Sequence, residues 1–491
     1  MFFDILEQKS IFAGYRPHTG RFNPLSYMDL NLLMQLSSSP KLFFFFNAIV
    51  FVIMAYMLYI LALQFLNGFW AFLGIMIVFF NVGFITIITG ICFPEKLQMF
   101  WLTFFVFALF FGIRKNSLTL ILISLLCGII SLFYKETDFI FITIFSGVYL
   151  ILSLWHKPIL RNTKILIFGL LCGAGAFILI YLVITVPQTT SYAKVMAAQG
   201  FMLLQSILNA FLNHPFIFIF LPTLLIYRIR CYYQDRILYP LYDSLLLGAL
   251  GYGFSFFVLQ LFSVYYFMPC YVMGFLPAIF FAKKYFFKLK VVLIVCGILH
   301  CMINIPLALS IYTQTKILPP HYLKAMEFMA AHTKNSANST SPNIFLLGQN
   351  RNADGLWLYK RAAMFLEHFG ADNFNLKTNK PNPLNVALSD RTSPFSIFNS
   401  LDVEQPKSGD LLYLDCFSQD FITQDYIRTL NEKYTLIYHS AYFGFYNLNI
   451  KTLLKYLISK TSIYEAYLSQ NERISSNIFG SPLGVYIYKV P

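Results

Sequence analysis

Between Lys41 and Tyr312 the chain is a nearly unbroken series of apolar segments, each long enough to cross a lipid bilayer. A helix rises about 1.5 Å per residue, so about 20 apolar residues span the hydrocarbon core. The 491-residue chain is 58% hydrophobic and 12% charged, whereas soluble domains carry about 25% charged residues. A large soluble core is therefore excluded, and the sequence predicts a polytopic α-helical membrane protein.

The apolar series divides at short polar turns, such as Asn67-Gly68, into about ten predicted transmembrane helices. Their approximate bounds are 42–66, 70–92, 98–113, 117–134, 138–155, 164–186, 215–228, 241–263, 265–282 and 290–312. Residues 1–40 precede them and contain a predicted surface helix over Ser26–Leu36, because apolar residues recur there at helical spacing. Residues 187–214 lie between two spans and predict an amphipathic helix in the membrane interface.

Four clusters of Lys and Arg fix the predicted orientation of the spans. They lie at 114–115, 156–164, 228–236 and 283–290. Two predicted spans separate each cluster from the next, so all four lie on one side, which the positive-inside rule makes cytoplasmic. These clusters explain the net charge of +14 better than nucleic-acid binding does, because no basic run alternates with aromatic residues on a soluble face.

The outer side then receives residues 1–40, the loops around Glu95 and Glu136, and everything after Tyr312. Residues 1–40 would begin outside the membrane with no span before them. A chain of this kind normally starts in the cytoplasm and crosses first. We therefore expect one further transmembrane helix upstream of Met1 that this sequence lacks.

The composition changes after Tyr312, where strands and helices alternate in the pattern of a small α/β domain. Lys316–Pro320 is predicted to be a linker, with Pro319-Pro320 stopping any helix. Helices are predicted at His321–Lys334, 354–369, 424–434 and 450–459, and strands at Asn343–Leu347, Asp410–Asp415, Thr435–Tyr446 and Gly484–Val490. The predicted organisation is an outer loop at 1–40, a transmembrane domain at 41–312 and an extracytoplasmic domain at 313–491.

The cysteines and histidines show no recognisable metal or redox motif. The eight cysteines are scattered without a CxxC pair, and no two of the eight histidines lie four residues apart. No metal ligand is therefore assigned. The sequence does not fix a cofactor, and a divalent cation stays open.

Carboxylates are scarce in the membrane block, and several collect on the predicted outer side. They are Asp4, Glu7, Asp29, Glu95, Glu136 and Asp138, with the basic residues Arg16, Arg21, Lys96 and Lys135 among them. Each acid alone can be a loop charge favoured by a helix N-terminus. As a group, ionisable residues at a membrane usually line a polar cavity. This set suits an anionic lipid substrate, with one carboxylate as base and the cations holding phosphate.

Several short motifs resemble the bacterial type C glycosyltransferases, polytopic enzymes that use polyprenyl-phosphate sugars. The resemblance covers roughly residues 1–330. It is carried, in chain order, by Gly20-Arg21-Phe22-Asn23-Pro24-Leu25, Asp29-Leu30-Asn31, Pro94-Glu95, Tyr134-Lys135-Glu136 and Tyr265-Tyr266-Phe267-Met268-Pro269. The family carries an acidic residue directly after its first transmembrane helix, and Asp4 matches that position if a helix precedes Met1. Many members have paired acids there, whereas here Glu7 follows one turn later.

The resemblance implies an inverting membrane glycosyltransferase on the outer face of a bacterial inner membrane. It would move a hexose or related sugar from a polyprenyl-phosphate donor to a lipid or glycan acceptor of the cell envelope, such as lipopolysaccharide. It implies catalytic roles for Asp4, Glu7, Glu95 and Glu136, with Asp4 preferred as the base, and substrate or phosphate binding by Arg16, Arg21, Lys96, Lys135 and Tyr266. No nucleic acid is expected as a partner.

Three other functions stay open at the level of sequence. An O-antigen ligase or polymerase is the nearest enzymatic alternative, although such proteins usually carry a large loop between helices. A transporter or flippase of lipid-linked glycans would predict buried mid-helix charges and broken helices. A non-catalytic assembly factor would use the C-terminal domain to bind a partner.

Overall fold

A computed structural model describes the residues that position the candidate site. The described residues are 5, 11, 15–16, 21–156, 160–185, 200–259, 261–335, 342–347, 354–371, 374–377, 405–416, 424–445, 453 and 483–491. The chain forms two compact units, Met1–Ala308 and Leu309–Pro491.

The first unit is a bundle of apolar helices that follows two very short strands. The strands are β1 (Tyr15–Arg16) and β2 (Arg21–Phe22). The helices are α1 (Met28–Met34), α2 (Pro40–Leu63), α3 (Gly68–Phe79), α4 (Val82–Thr89), α5 (Glu95–Lys115), α6 (Leu118–Tyr134), α7 (Asp138–His156), α8 (Arg161–Thr185), α9 (Gly200–Asn213), α10 (Leu221–Asp235), α11 (Pro240–Val258), α12 (Met268–Lys284), α13 (Phe286–Leu299) and α14 (Ile305–Tyr312), which crosses the unit boundary. The predicted surface helix near residue 30 and the helix within 187–214 are both present as α1 and α9.

The apolar helices confirm a multi-pass membrane protein. In the described parts of the chain, eight helices are long and apolar enough to cross a membrane, and a bent pair makes nine. The predicted count of about ten differs at two places. The predicted span 70–92 is two helices, α3 and α4, and the predicted span 117–134 is the shorter helix Leu118–Tyr134.

The break between α3 and α4 bends the chain by 72° at Phe80 and Asn81. Asn81 begins α4 by accepting a hydrogen bond from the Gly83 N–H (2.9 Å) and donates to the Tyr271 hydroxyl (2.9 Å). A Cβ on Gly83 would lie 2.7 Å from the Val264 carbonyl oxygen, so only glycine allows this approach. The break is therefore held by specific partners, as a helix interruption at membrane depth requires.

Five helices, α5, α6, α7, α8 and α11, pack closely against one another around aromatic side chains. Phe105 lies edge-on to Phe141 and Phe145, with ring centroids 6.0 and 5.5 Å apart. A Cβ at Gly248 would lie 2.9 Å from the Phe141 ring, and one at Gly128 would lie 2.8 Å from Leu170. Small residues thus let the backbones approach, as is usual between membrane helices. This packing fixes the helix ends that carry the candidate site.

The second unit contains a five-stranded sheet with helices. Its helices are α15 (Leu318–Asn335), α16 (Asp354–His368) and α17 (Gln424–Lys433), and its strands are β3 (Asn343–Leu346), β4 (Asn375–Lys377), β5 (Leu411–Asp415), β6 (Thr435–Ala441) and β7 (Gly484–Lys489). The strand order is β4-β3-β5-β7-β6; β3 runs parallel to β4 and β5, and β7 runs antiparallel to β5 and β6. Apart from β4, each of these elements was predicted from the sequence within a few residues.

The prediction that Pro319-Pro320 stops the helix is wrong. The predicted linker Lys316–Pro320 is helical: α15 begins at Leu318 directly after a π-helical turn, Thr313–Ile317, so the helix runs on through both prolines. Proline has no N–H to donate, and a wider, π-type hydrogen bond from the Leu318 N–H to the Thr313 carbonyl lies just before the two prolines, where the helix continues without a stop. The predicted helix 450–459 lies outside the described residues, except for residue 453.

One buried ion pair, Arg228–Asp243, ties α10 to α11. Nε and Nη2 of Arg228 each donate to a different carboxylate oxygen of Asp243 at 2.9 Å. Arg228 also donates to the Tyr285 hydroxyl (3.0 Å) and the Ile237 carbonyl (3.1 Å), and Asp243 accepts from the Tyr239 N–H (2.8 Å). Both charged groups are thus well satisfied, which is the condition under which a buried pair is stable.

We expect Arg228→Met to destabilise the helical unit by about 3–5 kcal/mol, because it leaves a buried carboxylate without its cation. Arg228→Met combined with Asp243→Leu should recover most of that loss, since a packed apolar pair avoids the unpaired charge. The measurement is thermal unfolding of purified protein in detergent. Arg428→Met, at an exposed pair with Asp425, is the control and should cost less than about 1 kcal/mol. Equal losses in the single and double variants would contradict this.

Candidate functional site

The centre of the candidate site is a buried ion pair between Glu95 and Lys135. Glu95 begins α5, and Lys135 follows α6 directly. Oε1 of Glu95 lies 2.7 Å from Nζ of Lys135, and the two side chains are only 2% and 7% exposed. Burial lowers the pKa of Lys135, but the carboxylates of Glu95 and Glu136 and the nearby Tyr266 outweigh it and raise the pKa above its ordinary value. Lys135 therefore stays charged at neutral pH.

A second buried pair connects α1 to the same end of α5. Nζ of Lys96 lies 2.6 Å from Oδ2 of Asp29. The segment before α1 is also anchored at the end of α6, where the Leu25 N–H donates to the Phe133 carbonyl (3.0 Å) and the Ser26 hydroxyl to the Tyr134 carbonyl (2.8 Å). Residues 21–36 thus cover this end of the bundle and bring Asp29 to the lysine.

A third carboxylate, Asp138, lies fully buried in a hydrogen-bond network. Nε2 of Gln98 lies 2.5 Å from Oδ1 of Asp138 and 3.1 Å from the Tyr252 hydroxyl. That hydroxyl is also 3.2 Å from Oγ1 of Thr137. Gln98 lies one turn after Glu95 on α5, so a single helix start presents a carboxylate, a lysine and an amide to neighbouring helices. Sequence reasoning missed Gln98 and Tyr252, although a glutamine and a tyrosine within apolar spans are a usable signal.

Aromatic rings form one wall of the site. Nζ of Lys135 lies 5.0 Å from the centroid of Tyr266, within cation–π range. Tyr266 stacks on Phe256 with ring centroids 5.5 Å apart and contacts Tyr265, which in turn lies 5.0 Å from Phe93. The sequence had placed Tyr266 among the binding residues, and the structure puts it against Lys135.

The structure brings together four of the nine predicted site residues around one pair of helix ends: Glu95, Lys96, Lys135 and Tyr266. Glu136 acts electrostatically on Lys135. Arg16 and Arg21 pair through their backbones across β1 and β2, and their side chains lie outside what the structure describes. Asp4 and Glu7 lie outside the described residues. Among the described residues, no group of three His, Cys, Asp or Glu side chains is arranged to hold a metal ion.

A separate polar cluster lies at the break between α3 and α4, and sequence reasoning missed it. The Tyr271 hydroxyl, which accepts from Asn81, lies 3.5 Å from Nδ1 of His214. Both His214 and His300 are 1% exposed, and within the described residues Nε2 of His214 has no hydrogen-bond partner. Each histidine adjoins a π-helical turn, Phe216–Phe220 or His300–Asn304. Two histidines inside apolar segments were the available signal.

No protein-family model matches the chain, and comparisons with curated proteins and with solved structures found no match. Its function is therefore inferred from the side chains of the two clusters and their surroundings.

We expect Lys135→Met to destabilise the helical unit by about 3–5 kcal/mol, because Glu95 would be left as an unpaired buried carboxylate. Adding Glu95→Gln removes that charge and should restore most of the stability. Unfolding in detergent measures both variants. Lys115→Met changes an exposed lysine at the other end of α5 and should shift stability by less than about 1 kcal/mol. A Lys135→Met variant as stable as the Lys115→Met control would show that the pair is not formed.

Proposed function

We propose that the protein is an integral membrane glycosyltransferase that resembles the type C enzymes. It would transfer a sugar from a polyprenyl-phosphate donor to a lipid or glycan acceptor on the outer face of the bacterial inner membrane. The observation that supports this most is the Glu95–Lys135 pair beside buried Asp138, gathered where α5, α6 and α7 begin or end. Ionisable groups that are buried at the ends of apolar helices are expensive and are usually retained for function.

The proposed reaction needs a base, a cation that binds the phosphate and an aromatic surface against which the sugar packs. In the proposed step a carboxylate takes the proton from the acceptor hydroxyl, and the acceptor oxygen bonds to the anomeric carbon. The bond from that carbon to the phosphate oxygen breaks, and polyprenyl phosphate leaves with the electron pair. Attack from the opposite face inverts the anomeric centre.

The described side chains suit the binding part of this reaction. A lysine ammonium has three donors, and Glu95 takes one from Lys135, so others are left for a phosphate oxygen. Oε2 of Glu95 is buried and has no hydrogen-bond partner among the described residues, so it can accept from a substrate hydroxyl. Tyr266 offers an aromatic face next to the lysine. Asp4 stays the preferred base by its place in the sequence, with Glu7 as its neighbour.

We expect Asp4→Asn to lower sugar transfer by about 10²–10⁴-fold, the usual cost of losing a general base, while the protein still folds. Lys135→Arg, which keeps the charge but changes the donor geometry, should mainly raise KM for the donor. The assay is transfer from a polyprenyl-phosphate sugar by purified protein, with Asp235→Asn, an exposed acid on α10, as the control. Wild-type transfer by Asp4→Asn would move the base to Glu7 or Glu95.

A transporter or flippase of lipid-linked glycans is the second candidate, because one observation favours it. Broken helices were expected for a transporter, and α3 and α4 form such a break, with Asn81, Tyr271 and His214 behind it. Polar groups at a helix interruption often line the path of a substrate. This cluster does not include the carboxylates of the proposed transferase site.

The two functions separate at Asn81. If the protein moves a lipid-linked glycan, Asn81→Ala should lower flipping of a fluorescent polyprenyl-phosphate sugar in proteoliposomes at least about tenfold, since the buried hydrogen bond that holds the break is lost. If it is a transferase, Asn81→Ala should leave transfer within about threefold of wild type. Asn162→Ala is the control, because Asn162 donates to the Asn116 carbonyl (3.1 Å) in an exposed turn outside the break, and it should leave flipping unchanged. Flipping that survives Asn81→Ala would exclude the transporter reading of this break.

A further inference from the structure

The topology of the second unit brings the ends of three strands to one edge of its sheet. Strands β5 and β6 each pair antiparallel with β7, so they run in the same direction, and β3 runs parallel to β5. After β3 the chain first forms β4 on one side of β3 and then β5 on the other side of β3. In open α/β sheets, ligands bind outside the carboxyl ends of the strands at such a change of direction.

Polar side chains collect at this edge. Asp415 is the last residue of β5, and its Oδ1 accepts a hydrogen bond from the Tyr442 hydroxyl (3.2 Å). Nδ1 of His321, at the start of α15, lies 2.6 Å from the Ser440 hydroxyl of β6. The ring of His321 lies against that of Tyr442, with centroids 5.0 Å apart. A carboxylate, two hydroxyls and an imidazole thus meet from elements far apart in sequence.

Tyr413, two residues before Asp415 on β5, adds a buried hydroxyl to this group. It is 3% exposed, and its hydroxyl has no hydrogen-bond partner among the described residues. Burial, followed by the negative charge of Asp415, raises the pKa of Tyr413, so the hydroxyl stays protonated and able to donate. A buried hydroxyl without a partner lowers stability, which favours a ligand that accepts from it.

A cation completes the group. The guanidinium of Arg361 on α16 lies 4.5 Å from the ring centroid of Tyr322, whose ring meets Tyr413 edge-on at 5.9 Å. Arg361 is exposed, and no acidic side chain in the described parts of the chain lies within salt-bridge distance of it. A planar guanidinium binds a carboxylate with two parallel hydrogen bonds, so Arg361 is available for an acidic group.

We propose that this edge of the second unit binds an acidic saccharide, with Arg361 on its carboxylate and Asp415, Tyr442 and Tyr413 on its hydroxyls. Saccharide hydroxyls need both donors and acceptors, which a carboxylate and phenol hydroxyls supply together. Aromatic rings offer the apolar faces of a sugar a packing surface. An anion of another kind would use Arg361 but would have no need of the Asp415 carboxylate, which repels it. This binding does not depend on the transfer reaction proposed above.

The test is calorimetric titration of the full chain with a disaccharide that contains glucuronic acid. The protein is held in a zwitterionic detergent without a sugar headgroup, so that the detergent does not compete. Arg361→Gln and Asp415→Asn should each weaken binding at least about tenfold, the usual loss for a hydrogen bond to a charged group. Arg428→Gln, an exposed arginine on α17, should leave binding unchanged. The neutral disaccharide with glucose in place of glucuronic acid should bind at least about tenfold more weakly and be insensitive to Arg361→Gln.

Tyr442→Phe removes only one hydroxyl and serves if Asp415→Asn does not fold; it should weaken binding several-fold. Undiminished binding in Asp415→Asn or Tyr442→Phe would overturn the proposal. So would inorganic phosphate that binds as tightly as the disaccharide, because the edge would then be a site for anions only. Absence of disaccharide binding would overturn it as well. Disaccharide binding by a chain without transferase activity would support this site and count against the proposed reaction alone.

Discussion

The structure depends first on the need of every backbone N–H and C=O group in the hydrocarbon for a partner inside the protein. Continuous helices meet that need, and they account for most of Met1–Ala308. Where the helices are interrupted, between α3 and α4, side chains supply the hydrogen bonds that hold the backbone. Asn81 caps α4 and binds Tyr271, and at the other end Asn47 donates to the Ile88 and Gly90 carbonyls. The break is thus a built feature of the bundle, and it carries the buried histidine cluster.

In the described part of the helical unit, buried charges form three ion pairs, Glu95–Lys135, Asp29–Lys96 and Arg228–Asp243, whereas Asp138 is held by Gln98; the pairs differ in how fully they are hydrogen-bonded. Arg228 and Asp243 use both carboxylate oxygens and add bonds to Tyr285 and the backbone, as a structural tie between helices should. Glu95 uses one oxygen on Lys135 and leaves the other without a hydrogen-bond partner among the described residues. A buried charged group that keeps an atom without a hydrogen-bond partner indicates a functional site, whereas a fully hydrogen-bonded pair indicates a structural role. That difference is why we propose a functional site at Glu95 and a structural role for Arg228.

The second unit also combines an apolar core with a cluster of polar side chains. Its sheet has a buried core of strand residues such as Ile344, Leu411 and Ile487, which alone would make a small α/β fold. The polar residues collect at one edge because β3, β5 and β6 run in the same direction. The two proposed sites, one in each unit, thus lie at helix ends and strand ends, where side chains of different elements meet.

The sequence alone determined the membrane class, most element bounds and the change in composition near Tyr312, because hydropathy and local periodicity are local properties. It also selected Glu95, Lys96, Lys135 and Tyr266, since charges and aromatic residues beside apolar spans stand out. It misjudged Pro319-Pro320, because whether a helix stops at a proline or continues past it after a π-helical turn depends on the backbone hydrogen bonds formed there. Only the tertiary structure could show that Glu95 pairs with Lys135, that Asp29 reaches Lys96, and that Gln98 and Tyr252 meet Asp138. Those partners are 40 to 154 residues apart, and contacts at such separations depend on how the helices pack, which periodicity does not encode.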